Sequence, residues 1–130
     1  MLNQFSFAGF LAVGIGAVIG AWSRWGLSVW LNPRHEMFPL VTFAANAIGG
    51  LLIGWAVGFF ARHPQLSPEW RLFLITGFLG GLTTFSTYSV EVVTLVEGGE
   101  IGWAAAVGLS HLGVSLVLTV AGVWLARALA

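Results

Sequence analysis

The charges of this chain are placed so as to leave four long stretches without any. Five Arg and five Glu, with no Lys and no Asp, all fall outside residues 1–23, 37–61, 72–90 and 101–126. A helix needs ~20 apolar residues to cross the ~30 Å of hydrocarbon in a bilayer, and each stretch is about that long or longer. Soluble domains carry roughly 25% charged residues, whereas this chain has 8% charged and 58% hydrophobic residues and a mean hydropathy of +0.92. Too few solvating groups exist to coat a water-soluble globule. The expected fold is therefore an all-α membrane protein, a single transmembrane domain over 1–130 with helices near 5–31, 38–61, 71–96 and 101–127. The net charge of zero offers no electrostatic footprint for nucleic acid. The lack of cysteine excludes disulfides, thiolate zinc sites and a Cys nucleophile.

The connections fit the same plan. Asn32-Pro33-Arg34-His35-Glu36, the segment 62–69 and Glu97-Gly98-Gly99-Glu100 are short and polar, and Pro33, Pro39, Pro64 and Pro68 sit in or beside them, where a missing amide is harmless. Trp22, Trp25, Trp30, Trp70, Trp103 and Trp124 lie near expected helix ends, as amphipathic rings do at a membrane interface; Trp55 alone sits deep. No basic residue precedes the first apolar run, so that run is expected to be a retained helix and not a signal peptide. With four spans, Arg62, Arg71 and Arg127 fall on one side of the membrane and Arg24 and Arg34 on the other. Basic-residue asymmetry sets insertion direction, and a split this even leaves two readings open. Either the larger count is cytoplasmic, or the chain inserts both ways and assembles antiparallel.

Small residues recur at helical spacing, Gly16 and Gly20 in the first span and Gly50, Gly54 and Gly58 in the second. Such rows let backbones approach closely, which is how helices associate in lipid. Polar chemistry concentrates in the second and third spans. Thr42 and Asn46 are one turn apart, and the Asn46 amide must face protein or water, as interhelical glue or as part of a polar path. The third span reads Thr76-Gly77-Phe78-Leu79-Gly80-Gly81-Leu82-Thr83-Thr84-Phe85-Ser86-Thr87-Tyr88-Ser89-Val90-Glu91. Its glycines make a mid-membrane break cheap, and broken backbone is tolerated at that depth only where protein or an ion satisfies it. Five hydroxyl residues follow within 83–89, with Phe85 and Tyr88 on a shared face. Hydroxyl O–H, amide N–H and the positive rims of aromatic rings suit a small monovalent anion. No full countercharge stands by to trap it.

These motifs, with Gly16-Ala17, Gly20-Ala21-Trp22-Ser23-Arg24-Trp25 and Asn46-Ala47-Ile48-Gly49, resemble the Fluc (CrcB) fluoride channels along the whole chain. The resemblance implies a passive fluoride-selective channel in the bacterial inner membrane, built as an antiparallel, dual-topology homodimer. It further implies two pores per dimer and a structural sodium ion at the dimer centre. Carried onto this sequence, it makes the carbonyls of Gly80 and Thr83 the sodium ligands. Phe85 and Tyr88 become the pore aromatics, Asn46 the pore asparagine with Thr42 one turn before it, and Ser86 and Thr87 part of the polar track. Ser110 becomes the fourth-helix pore serine and Arg24 the vestibule arginine. Glu91 either lines a vestibule or caps the polar end of the third helix. Tyr88 stands where the family commonly has phenylalanine, and Ala106 where it often has tyrosine. His111, Ser115 and Thr119 form a separate i, i+4, i+8 row, with His111 expected to be a hydrogen-bonded packing residue. No acidic residue accompanies Ser86, Ser110 and His111 to orient a triad, which argues against a membrane hydrolase. A small four-helix proton-coupled multidrug exporter is the alternative, but it calls for a carboxylate deep in the first helix, where 1–23 has none. A non-transporting assembly subunit would have no polar track at all.

Overall fold

A computed structural model describes residues 5–31 and 38–129; the first connection, with Pro33, Arg34 and Glu36, lies outside the described residues. Four helical spans are present: α1 (Phe7–Leu31), α2 (Leu40–Arg62), α3 (Pro68–Glu97) and α4 (Ile101–Ala128). At ~1.5 Å rise per residue each exceeds the ~30 Å hydrocarbon thickness, so each can cross with some tilt. Among the described residues there is no β-strand. Pro39 precedes α2, Pro68 opens α3 at the helix start, and the tight α3–α4 turn uses Gly99 at φ 78°, a conformation that favours glycine.

The core is thin. Ala56, Leu79 and Leu82 form one buried cluster and Leu95, Ala104 and Val107 another, while large apolar side chains such as Phe10, Ile15, Val90, Leu109 and Val117 face outward. In water such a surface would aggregate; in lipid it is solvated. The interfacial tryptophans expected from the sequence are exposed, from Trp103 at 44% to Trp30 at 79%. Trp55 instead packs against the first core cluster.

Close helix approach organises the rest. On α2, Gly50 and Gly54 lie against the backbone of Ser115 and Thr119 of α4, and Gly122 of α4 lies against Leu51 and Trp55. Gly16 and Gly20 of α1 meet the backbone of Phe73, Gly77 and Phe78, and Gly77 and Gly81 of α3 return the contact against Val13 and Ala17. The two halves of α3 choose different partners, the first packing on α1 and the second on α4. A straight helix could not do both. The first half is wound as a π-helix over Leu72–Leu79 and returns to α-helical winding at Gly80–Leu82; the second half is Ser86–Glu97. Between them the chain is extended at Thr83, with φ −87° and ψ 159°.

The break is thus where the sequence places it, for a different reason. Gly80 has ordinary helical dihedrals, φ −62° and ψ −36°, and the chain opens at a threonine. The glycines of this segment supply proximity to α1, with Gly77 and Gly81 in backbone contact.

Candidate functional site

An open helix end inside a membrane exposes backbone groups that need partners, and four side chains provide them here. Asn46 Nδ2 donates to the Thr84 carbonyl at 2.9 Å while the Thr84 N–H donates to Asn46 Oδ1 at 2.8 Å. The carboxamide thereby pairs with the broken backbone as a neighbouring strand would. Arg24 Nε donates to the Gly81 carbonyl at 3.3 Å. The Thr87 N–H donates to Thr84 Oγ1 at 3.1 Å, which caps the second half of α3, and Thr83 Oγ1 folds back onto the Leu79 carbonyl at 2.8 Å.

These bonds release particular acceptors. In a continuous helix the Thr84 N–H would bond the Gly80 carbonyl and the Thr87 N–H the Thr83 carbonyl; both donors are instead held by side chains. Gly80 and Thr83 both line one cleft, and their usual helical donors are held elsewhere. A pair of carbonyl oxygens suits a hard monovalent cation such as sodium. Among the described residues no group of three His, Cys, Asp or Glu could hold a metal.

The cleft beside the break has a volume of about 460 Å³ and is walled by α2, α3 and α4. Asn46, Phe85 and Tyr88 line it together with Thr84, His111, Ser115 and Thr119. The Phe85 and Tyr88 rings lie 5.4 Å apart, tilted by 52°, and Phe85 is 75% exposed. Tyr88 is held on two sides: its hydroxyl donates to the Gly108 carbonyl at 2.8 Å and its ring stacks on His111 at 5.0 Å. The phenol therefore has its partner within the subunit. Tyr88→Phe should remove only that bond and lower stability by roughly 0.5–1.5 kcal/mol, which a thermal melt checks.

A second cavity, about 360 Å³, lies between α1, α2 and α3 and is lined by Arg24, Thr42 and Thr87. Thr42 Oγ1 donates to Glu91 Oε1 at 2.5 Å, joining α2 to the second half of α3. Thr42 and Asn46, expected on one continuous face, thus open onto different cavities on either side of the break. Glu91 lies inside the second half of α3 and braces it against α2. It does not cap a helix end.

Two hydroxyls fall elsewhere. Ser110 Oγ turns back to the Val107 carbonyl at 3.3 Å and does not line either cavity; the polar wall of α4 is the His111, Ser115, Thr119 row. The four-residue periodicity of that row was the sequence signal for the α4 residues that line the cleft. Ser86 Oγ lies 3.3 Å from Thr84 Oγ1 and reinforces the cap without facing either cavity. His111 is buried at 4% exposure, as a packing residue would be, but neither ring nitrogen is hydrogen-bonded among the described residues.

Four apolar spans, the third of them broken, with side-chain donors and aromatic rings gathered at the break, define a small multi-pass membrane protein of the channel type. The chain belongs to the CrcB family: the family described as "CrcB-like protein, Camphor Resistance (CrcB)" matches residues 11–123. A protein named fluoride-specific ion channel FluC from Cupriavidus taiwanensis is 60% identical over 122 residues, covering 94% of this chain and 97% of that one. Its namesake from Cupriavidus pinatubonensis is 59% identical over the same shares. The one from Pseudomonas putida is 55% identical over 112 residues, 86% of this chain and 88% of that one.

Proposed function

We propose that this chain is the subunit of a passive, fluoride-selective channel that lets cytoplasmic fluoride leave down its electrochemical gradient. The observation that carries the reading is the cleft at the break. Asn46, whose amide has a second N–H beyond the one given to Thr84, lines one cleft with Ser115, Phe85 and Tyr88 beside a disrupted helix. Relatives named as fluoride-specific channels, alike over nearly their whole length, support the choice of ion. Fluoride enters acidified cells as neutral HF and dissociates inside. With the interior negative, each anion then gains roughly 2.3 kcal/mol per 100 mV on leaving, so no pump is needed.

The working unit is an antiparallel homodimer with two pores. The near-even Arg split permits insertion both ways, and the outward-facing Phe85 leaves the cleft wall to be completed by a second copy. Sodium held between the two broken α3 helices by the Gly80 and Thr83 carbonyls would pin the two breaks together. These residues' own part is to present oxygen atoms released by Asn46 and Thr84.

Liposomes loaded with fluoride and chloride test the function. Selective fluoride loss that requires a compensating potassium current is expected; loss driven by a proton gradient, or none, overturns the reading. Phe85→Ile should reduce flux about tenfold, or 1.4 kcal/mol, within the range of a single aromatic contact at roughly 0.5–1.5 kcal/mol. The variant should elute as the same dimer, and undiminished flux would remove the ring-edge contribution.

A further inference from the structure

His111 differs from every other residue on the cleft wall. Its side chain is 4% exposed and both ring nitrogens are buried without a hydrogen-bond partner among the described residues. Three rings enclose it: Tyr88 stacks on it at 5.0 Å, while Phe38 and Phe43 meet it edge-on at 6.1 Å and 5.2 Å. Whichever nitrogen carries the proton, an imidazole has at least one N–H donor, and leaving that donor unpaired in an apolar cage is unfavourable. A phenylalanine would fill the same space without that cost. The ring nonetheless belongs to the wall that also carries Asn46 and Ser115.

We infer that His111 is an anion ligand of the pathway, donating an imidazole N–H to fluoride as it passes the α4 wall. The inference rests on the fluoride-channel reading above and adds to it a donor stronger than a hydroxyl or a ring edge. The aromatic cage keeps water off the nitrogens, so the donor is unsatisfied when no ion is present. Fluoride is the halide that accepts hydrogen bonds most strongly, and bonds to a charged acceptor are about twice as strong as neutral ones. A single neutral donor binds the ion without the full charge pairing that would hold it in place. The cage also limits the ligand's size. Tyr88, fixed by its bond to the Gly108 carbonyl, leaves the ring little room to swing toward a larger anion.

The test compares wild type, His111→Phe and His111→Asn in liposomes over a range of internal fluoride, with chloride as the competing anion. His111→Phe keeps the packing and removes the donor; it is expected to remain folded and to raise the half-saturating fluoride concentration about tenfold, the loss of one charge-assisted hydrogen bond. His111→Asn restores an N–H and should recover most of that loss. The same half-saturation in His111→Phe as in wild type would overturn the inference while leaving the channel reading intact. A wild-type protein that releases no fluoride would overturn both. An independent readout uses 15N-histidine-labelled wild type in micelles, with the His111 resonance identified by its absence from His111→Phe or, if that variant does not fold, from His111→Asn. Sodium fluoride should shift the imidazole nitrogen signal where sodium chloride does not. An unmoved signal would make His111 a packing residue.

Discussion

Replacing Asn46 by alanine is expected to abolish fluoride efflux and to lower the melting temperature of the detergent-solubilised protein by on the order of 10 °C. The substitution removes two hydrogen bonds at once, Asn46 Nδ2 to the Thr84 carbonyl and the Thr84 N–H to Asn46 Oδ1. It also leaves that N–H and carbonyl at the break without partners, at about 1–3 kcal/mol for each buried group. The freed Thr84 N–H would return to the Gly80 carbonyl and begin to re-form a continuous helix. That would rotate Phe85 and Tyr88 away from the cleft and reclaim a carbonyl of the proposed sodium site. Asn46→Asp separates the two roles. Its carboxylate still accepts the Thr84 N–H, so it should lose less stability than alanine, but it repels an anion and should conduct as poorly. Wild-type flux in both variants would show that the carboxamide neither holds the break nor meets the ion.

The spans were legible because charge placement and hydrocarbon thickness set them together: ten charged residues can interrupt an apolar chain in few ways that leave helices of sufficient length. The neighbourhood of the break was legible from the glycines and hydroxyls, but its mechanics were not. Glycine marks both conformational freedom and close approach, and composition cannot separate them; Gly77 and Gly81 turn out to serve approach to α1, while the chain opens at Thr83. The division of Thr42 and Asn46 between two cavities was also hidden, because it depends on where the second half of α3 lands after the break. Ser110 and His111 are adjacent, so the rotation of α4 decides which one faces the cleft. The Gly54–Thr119 and Gly122–Leu51 contacts fix that rotation, and no single helix encodes them. The π-helical turn over Leu72–Leu79 has no mark in the apolar pattern.

Those contacts lead to the largest stability change expected of a single methyl group in this chain. Gly54→Ala would place a Cβ against the Thr119 carbonyl oxygen, backbone against backbone, where no flexible side chain can move aside. Gly14→Ala would place its Cβ in open space on the outer face of α1, with nothing within 4 Å. In a helix interior alanine is favoured over glycine by roughly 0.5–1 kcal/mol, so the Gly14 variant should melt at the wild-type temperature or slightly above it. The Gly54 variant must instead push α2 and α4 apart, and overpacking of this kind costs about 1–3 kcal/mol, occasionally more. Its melting temperature should fall by on the order of 10 °C. Function should suffer beyond that loss, because α2 carries Asn46 and α4 carries His111, Ser115 and Thr119, and the distance between them is the width of the cleft. Equal melting temperatures for the two alanine variants would mean that the glycine row of α2 reflects only the general abundance of glycine in membrane helices. Opposite signs would mean that the row sets the spacing of the cleft walls.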